Sequence, residues 1–373
     1  MTVRIGLIGA GRIGAMHAAH LAALRGPGGE PAVRLSIVDA VPEQEAAVAG
    51  RTGAVPQPTV ESLLEDGVDG LVVATGTATH PGLIRTGLAA GLPVFCEKPV
   101  ALSVAEALPL LDEIERVQGV VQIGHQRRFD PGYVRARELY AAGELGWLHT
   151  VRAMTGDMTP PPVEFLATSG GLFRDCSVHD VDVLRWITGR EVVEVYARGS
   201  NRGDPRIGEV GDVDTALAVL TLDDGTVATV AATRYNGAGH DVRLELQGSK
   251  GSVAVGMDEH MAMRSAEPGV GFPAGPPHTT FHERFAEAYR REMAAFVRVV
   301  RGEIASPCTA RDAVAASRVA DAAQHSLETG APVRVEPLGA SDGSAPPVRR
   351  VSASRSSVSG RGSCTNTTSA SLP

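Results

Sequence analysis

The first 126 residues alternate short apolar runs with stretches that carry apolar residues at helical spacing. The apolar runs are rich in Val, Ile and Leu, and they lie at 3–8, 33–39, 70–75, 93–98 and 120–126. Strands that alternate with helices form parallel sheets, because each helix carries the chain back to the starting edge. This half is therefore predicted to be an α/β domain with a doubly wound parallel sheet.

From residue 127 the pattern changes to alternating strands joined by short turns. A helical segment at 170–189 stops at Gly189, and strand-like segments follow at 192–200, 214–234 and 241–256. Two more helices are predicted at about 283–301 and 311–329. The pattern predicts a second, α+β domain with an open, mainly antiparallel sheet.

These patterns divide the chain into domains at 1–126 and 127–337. The remaining segment, 338–373, is rich in Ser, Gly and Pro and has almost no large apolar residues. Such a composition cannot bury a core, so a disordered tail is predicted, and no function is assigned to it.

Charge and composition narrow the possible partners. The net charge is -8, and the tail contributes one Asp and four Arg, so 1–337 carries about -11. This excess of acid argues against nucleic acid or an anionic membrane as a partner. No apolar run reaches the length of a membrane span and the chain opens directly on a strand, so a soluble cytoplasmic protein is expected. The four cysteines show no paired spacing, which disfavours a disulfide framework or a zinc cluster.

A glycine motif lies where the first strand turns into a helix. The segment "GAGRIG" places Gly9, Gly11 and Gly14 in a G-x-G-x-x-G pattern, with Arg12 and Ile13 opening the helix. In this context the glycines allow a tight turn and close backbone approach to a pyrophosphate at the helix N-terminus. All five residues are candidates for cofactor binding.

Asp39 ends the second strand, where an acidic residue can accept both hydroxyls of an adenosine ribose. Its charge would repel a 2'-phosphate, and Ala40 follows rather than an arginine. NAD is therefore favoured over NADP. In the alternative interpretation, Asp39 only caps the following turn.

Lys98 stands in "CEKPVA", at the end of a predicted buried strand. A lysine at a strand end is often a solvated charge. In doubly wound sheets, however, ligands bind beyond the carboxyl ends of the strands. This position favours an active-site lysine.

Asp175 and His179 are four residues apart in a predicted helix, so they share one face. A carboxylate beside an imidazole can fix its tautomer and raise its basicity, which suits a general base. The alternatives are an N-capping aspartate and a structural histidine. Asp180 and Asp182 are interpreted as solvated or structural, and a metal site is disfavoured because no third zinc-type ligand is evident.

Several segments together resemble the Gfo/Idh/MocA family of oxidoreductases, and within it the inositol 2-dehydrogenases. The resemblance covers about 1–336 and rests on "GLIGAGRIGAMHA", "EKP", "GHQRRFDPGYV", "GGLFRDCSVHDVDVLRW" and "ERFAEAYRREMAAFV". It implies an N-terminal Rossmann domain and a C-terminal domain that often mediates oligomers, either dimers or tetramers. It also implies that Lys98, Asp175 and His179 are catalytic, with the histidine taking a hydroxyl proton, the aspartate orienting it and hydride passing to nicotinamide C4.

The expected activity is NAD-dependent oxidation of a secondary hydroxyl of a cyclitol, such as myo-inositol. A sugar or aminocyclitol substrate is the alternative within the same chemistry, and a non-catalytic NAD-binding regulator is the alternative outside it. The resemblance is weaker at "TGTATH" and in the Pro-rich segment 154–168. Further cofactor candidates are Thr75, His80 and Glu97, although His80 is equally suited to a helix start. The substrate candidates are Arg127, Asp157, Tyr235, Asn236 and His240.

Overall fold

Six parallel strands form the first sheet, in the order β3-β2-β1-β4-β5-β6. The computed structural model describes residues 2–339. The strands are β1 (Val3–Ile8), β2 (Val33–Val38), β3 (Val55–Pro56), β4 (Gly70–Val73), β5 (Val94–Glu97) and β6 (Val121–Gly124). Strand β1 pairs with both β2 and β4, so the strand order reverses beside it. This arrangement confirms the predicted doubly wound sheet.

Five helices connect these strands, and a sixth follows β6. They are α1 (Arg12–Ala23), α2 (Pro42–Thr52), α3 (Val60–Glu65), α4 (His80–Ala89), α5 (Val104–Arg116) and α6 (Pro131–Ala141). Because the strands are parallel, the loops after β1, β4 and β5 meet at one edge of the sheet. That edge carries the glycine motif, Thr75 and Lys98.

The second sheet has seven strands in the order β12-β11-β7-β10-β9-β8-β13. They are β7 (Leu148–Gly156), β8 (Val192–Ser200), β9 (Thr215–Leu222), β10 (Val227–Thr233), β11 (Asp241–Gly248), β12 (Ser252–Val255) and β13 (Val333–Arg334). Only the β7 and β10 pair is parallel. The predicted mainly antiparallel sheet is confirmed.

The helices of this half are α7 (Val163–Ser169), α8 (Val178–Thr188), α9 (Pro205–Glu209), α10 (Phe281–Arg284), α11 (Ala286–Val300) and α12 (Ala310–Thr329). A π-helical turn, Phe173–Ser177, precedes α8, and Gly189 ends α8 in the left-handed conformation. The helix predicted at 283–301 is therefore two helices that meet at Phe285.

Helix α11 follows the second sheet in sequence but packs into the core of the first. Met293, Phe296 and Val297 belong to one apolar cluster with Leu7 and Phe95. Burying a side chain of this size contributes about 1.5–3 kcal/mol. A helix from the second half of the chain therefore contributes to the core of the first sheet.

Residues 1–337 group as one compact unit. The tail predicted at 338–373 lies outside the described residues apart from Leu338 and Gly339. Within 2–339, no helix combines the length and the apolar character of a membrane-spanning segment.

Candidate active site

The loop after β1 is shaped by its glycines. Gly9 has a φ of +102°, and a Cβ there would lie 2.6 Å from the carbonyl oxygen of Ala74. A Cβ on Gly14 would lie 1.9 Å from the carbonyl oxygen of Gly9, whereas one on Gly11 would meet no protein atom within 4 Å. Gly9 and Gly14 are thus required by the protein itself, while Gly11 leaves open space at the N-terminus of α1.

Asp39 binds the backbone of two segments, the loop after β1 and its own turn after β2. It accepts hydrogen bonds from the backbone N–H groups of Ala10 and Val41. Both interpretations of Asp39 therefore have support, because it caps its own turn and also lies against the glycine loop. Arg12 is exposed at the start of α1, with its guanidinium 5.3 Å from the centroid of the Phe281 ring, and Ile13 is half-buried beside it.

The loop after β4 contains Thr75 and His80. The Thr75 hydroxyl lies 2.6 Å from that of Thr79. His80 is buried at the start of α4, with Nδ1 2.7 Å from the Pro99 carbonyl and Nε2 3.2 Å from the Thr75 carbonyl. His80 therefore links the loop after β4 to the loop after β5. It lies at the start of α4, as in the alternative interpretation of this residue.

Lys98, which follows β5, contacts Asp175, which lies in the π-helical turn before α8. The Lys98 Nζ donates to the Asp175 carbonyl oxygen at 2.9 Å and lies 3.5 Å from its carboxylate. Burial alone would raise the pKa of Asp175, but the charges of Lys98 and Arg234 outweigh it and hold that pKa below its usual value. Asp175 is therefore ionised and paired with the lysine.

Arg234 is the site residue that the sequence patterns missed. Its fully buried guanidinium donates to Asp175 at 3.1 Å and to Asp212 at 3.0 Å. Asp212 is in turn fixed by the backbone N–H groups of Leu172 and Val213. A chain of ionic contacts thus runs from Lys98 through Asp175 and Arg234 to Asp212.

His179 lies in the first turn of α8, partly exposed, with its Nδ1 buried and without a hydrogen-bond partner. Its ring packs edge-to-face on His125 at 5.3 Å. Burial, and then the positive charges of Lys98 and Arg127, lower the pKa of His179 well below its usual value. His179 is therefore neutral near pH 7, the form that a general base requires.

The predicted bond from Asp175 to His179 is not formed among the described residues. Asp175 lies in the π-helical turn, which is wider than an α-helical turn, so a spacing of four does not stack the two side chains. Its carboxylate contacts Lys98 and Arg234 instead. In this structure the aspartate therefore contacts the lysine rather than the histidine.

Two of the substrate candidates meet close to Asp175. The Asp157 carboxylate lies 3.2 Å from His240 Nδ1 and 3.7 Å from the Cys176 thiol. Cys176 also contacts Asp175 at 4.0 Å, which links the two carboxylates. The Nε2 of His240 is buried and has no partner. Asp157 forms no ion pair with Lys or Arg within 2–339, and its ionic contact is with His240.

The other substrate candidates lie elsewhere. Arg127 is buried and pairs with Asp180 and Thr155, and Arg128 holds Asp182 with two hydrogen bonds. Arg127 is thus placed as a salt-bridge partner beneath the site, and both aspartates are buried structural residues rather than solvated ones.

Tyr235 and Asn236 lie in the loop after β10 and form hydrogen bonds within it and to neighbouring segments. The exposed Tyr235 accepts a hydrogen bond from the backbone N–H of Asp204. The Asn236 side-chain amide donates to the Gly239 carbonyl, and its backbone N–H donates to the Asp157 carbonyl. Asn236 therefore supports Asp157, while Tyr235 is turned toward Asp204.

The loop after β1 and the N-terminus of α1 have the features of a dinucleotide-binding site. Gly11 is the N-cap residue of α1 and supplies no side-chain cap, so the first N–H groups of the helix can bind a pyrophosphate. The space at Gly11 and the acidic end of β2 complete the requirements of such a site.

Comparison with known proteins agrees with this fit. Residues 3–125 match the model of an oxidoreductase family with an NAD-binding Rossmann fold, and 133–254 match that of the GFO/IDH/MocA C-terminal domain. The predicted NAD cofactor and oxidoreductase class are thereby confirmed.

Individual relatives cover nearly the whole chain. It is 38% identical to myo-inositol dehydrogenase Hyg17 of Streptomyces leeuwenhoekii, over 88% of this chain and 98% of that protein. It is 34% identical to scyllo-inositol 2-dehydrogenase (NAD(+)) of Bacillus subtilis, over 90% and 96%. The scyllo-inositol dehydrogenase structure from Lactobacillus casei with bound NAD(H) and scyllo-inositol is similar with a TM-score of 0.80 at 30% identity, covering 90% of this chain and 99% of that one. The chain belongs to the Gfo/Idh/MocA family of NAD-binding oxidoreductases.

Proposed function

We propose that this protein oxidises a secondary hydroxyl of a cyclitol, such as myo-inositol, to the ketone, with NAD as the acceptor. The observation that carries the proposal is the contact of Lys98 with Asp175 beside a neutral His179, at the edge of the sheet that holds the glycine motif. The relatives named as inositol dehydrogenases support this substrate class.

His179 serves as the general base in this proposal. An alcohol is a very weak acid, so loss of its hydride requires removal of the hydroxyl proton in the same process. The neutral imidazole takes that proton, and its partly exposed side chain is accessible from the cleft. NAD, when bound, accepts the hydride at C4 of its nicotinamide.

Lys98 stabilises the oxygen that loses the proton. An ammonium fixed beside this oxygen favours the alkoxide character of the transition state. The Asp175 carbonyl and carboxylate hold the ammonium, and Arg234 holds Asp175. The aspartate therefore acts mainly by positioning the lysine.

The function is tested by following NADH absorbance with purified protein, NAD or NADP, and myo-inositol, scyllo-inositol, glucose or an aminocyclitol. We expect turnover with at least one inositol and NAD. Turnover of glucose alone would assign a sugar substrate. Binding of NADH without turnover of any of the four would favour the non-catalytic regulator.

An aminocyclitol substrate is favoured by one observation. The Asp157 carboxylate near Asp175 has no Lys or Arg partner within 2–339, so it suits an ammonium group as well as a hydroxyl. The aminocyclitol in the panel tests this alternative directly. A higher kcat/KM for it than for myo-inositol would establish it.

Replacing Asp39 tests the choice of cofactor. In Asp39→Ala the charge that repels a 2'-phosphate is lost, so we expect the preference for NAD over NADP in kcat/KM to fall by about tenfold or more, equivalent to about 1.4 kcal/mol. Asp39→Asn is the control that removes the charge but keeps one acceptor oxygen, and so retains one of the two backbone bonds, which use different oxygens of the carboxylate. An unchanged preference in both variants would place ribose recognition elsewhere.

Replacing single glycines separates folding from cofactor binding. Gly14→Ala places a methyl group against the Gly9 carbonyl, so we expect destabilisation of about 1–3 kcal/mol and a lower Tm. Gly11→Ala meets no protein atom, so we expect an unchanged Tm but weaker NADH binding. Thermal melting and NADH fluorescence titration measure the two effects. Equal NADH affinity in Gly11→Ala and the wild type would contradict a pyrophosphate at this position.

We also propose a homo-oligomer, a dimer or tetramer. The outer face of the second sheet exposes Leu217, Val219 and Val227. Light scattering coupled to size-exclusion chromatography measures the state, and a monomer would contradict the proposal.

A further inference from the structure

Three titratable side chains form a cluster next to Lys98, in which His17 and Glu292 are buried and Glu97 is partly exposed. His17 comes from α1, Glu97 from the end of β5 and Glu292 from α11. The His17 Nε2 lies 2.6 Å from a Glu97 oxygen, and one ligand-type atom from each residue lies within 4.8 Å of the others. Each member thus comes from a different structural element.

Glu292 is the member of the cluster whose carboxyl group has no hydrogen-bond partner among the described residues. It is fully buried, and neither of its carboxyl oxygens has a hydrogen-bond partner. Within residues 2–339, neither Glu97 nor Glu292 forms an ion pair with Lys or Arg. The nearby Tyr289 and Cys308 are neutral, because burial raises the pKa of both well above its usual value. Within 2–339 no lysine or arginine therefore balances these two adjacent carboxyl groups, and the basic side chain in contact with Glu97 is His17.

Two carboxylates this close in a buried site cannot both remain ionised at moderate cost. Burial, and then the charge of Glu97, raise the pKa of Glu292 well above its usual value. A protonated Glu292 is a hydrogen-bond donor, and Glu97, already paired with His17, is the adjacent acceptor. One proton on Glu292 thus removes the charge conflict between the two carboxyl groups.

A metal ion would also balance the charges, but the geometry favours a proton. Ligand atoms around zinc stand about 3.3 Å apart, given bond lengths of about 2.0–2.1 Å in tetrahedral sites. His17 and Glu97 are 2.6 Å apart, the separation of a hydrogen bond.

We propose that Glu292 is a protonated positioning residue whose cluster with Glu97 and His17 holds the adjacent Lys98 in place relative to helix α1. Glu97 directly precedes Lys98, and α1 carries the glycine motif at its N-terminus. On its other side Glu97 is confined by Gly124, where a Cβ would lie 3.0 Å from its carboxyl oxygens. The cluster thus ties the cofactor helix to the strand end that carries the lysine.

The test compares Glu292→Gln with Glu292→Met. Gln keeps a neutral donor and acceptor, so we expect kcat within about threefold of the wild type. Met has a similar volume but no donor, so we expect kcat to fall about tenfold or more with NADH affinity unchanged. Infrared spectra should show a protonated carboxyl band in the wild type that Glu292→Gln lacks.

Lys98 also offers a readout that does not depend on the proposed function or on any substrate. The chain has only two lysines, Lys98 and the exposed Lys250. We expect amine-reactive labelling, quantified by peptide mass spectrometry, to change at Lys98 in Glu292→Met but not in Glu292→Gln, with Lys250 constant in both. This outcome is expected whether or not a cyclitol is the substrate.

Four results would overturn the proposal. The first three are a wild-type spectrum without the carboxyl band, a stoichiometric metal ion that is lost in Glu292→Gln, and Lys98 labelling that is unaffected in Glu292→Met. If Glu292→Met does not fold, the infrared comparison and the wild-type rate of Glu292→Gln still decide it. The fourth is a Glu292→Gln variant with greatly reduced kcat, which would show that the carboxyl group is needed in its ionised form.

Discussion

Replacing His179 with alanine is expected to lower kcat by about 10²–10⁴-fold, the usual contribution of a general base. NADH affinity and Tm should stay near wild-type values, because His179 contributes no hydrogen bond from its buried Nδ1 and is partly exposed. Initial rates with the best substrate of the panel measure the loss. His149→Ala, at an exposed histidine on β7, is the matched control and should be fully active.

The pH dependence gives a second measure of the same residue. Because the pKa of His179 is lowered well below its usual value, its neutral, active form persists as the pH falls. The acid limb of the kcat/KM profile should therefore lie below the pH expected for an ordinary histidine, about 6.5. A limb near or above that pH, or an active His179→Ala variant, would remove His179 from the role of base.

Replacing Arg234 with methionine is expected to cost about 3–5 kcal/mol in the free energy of unfolding, as for other buried ion pairs broken on one side. The change leaves Asp212 buried without its cationic partner and Asp175 with Lys98 alone. Because Asp175 then no longer holds Lys98 firmly, kcat should also fall by about tenfold or more. Urea unfolding and initial rates measure the two effects.

Arg4→Met is the control for this variant. Arg4 pairs with Asp69 at the surface, where an ion pair contributes about 0–1 kcal/mol. A loss in Arg234→Met as small as that in Arg4→Met would contradict the network described here. Full activity despite a large loss of stability would confine Arg234 to a structural role.

The parallel sheet and the positions of the glycine motif and Lys98 at its carboxyl edge could be predicted from the sequence, because they depend on local periodicity and on the general geometry of parallel sheets. The partner of Asp175 could not. Its spacing from His179 assumes an α-helix, whereas the chain forms a π-helical turn after Gly170 and Gly171, both of which have positive φ. Arg127 was predicted to bind the substrate, but in the structure it pairs with Asp180. The sequence does not reveal that Asp180 is buried against it.

Two residues that the sequence analysis did not identify nevertheless stand at positions that indicate burial. Arg234 follows Ala228, Val230 and Ala232 at the next inward position of an alternating strand pattern. Glu292 stands three residues after Tyr289, on the buried face of α11. A charged residue at a position of core periodicity requires a partner or a proton, and it therefore marks a buried polar network.

Helix α11 limits how this protein can be recombined with its relatives. Its side chains complete the core of the first sheet, although the helix follows the whole second sheet in sequence. An exchange of the two halves at residue 126 would leave the first sheet facing a foreign helix at Met293 and Phe296. A chimaera that preserves packing must therefore transfer 286–300 together with 1–126, as two separate segments grafted at once.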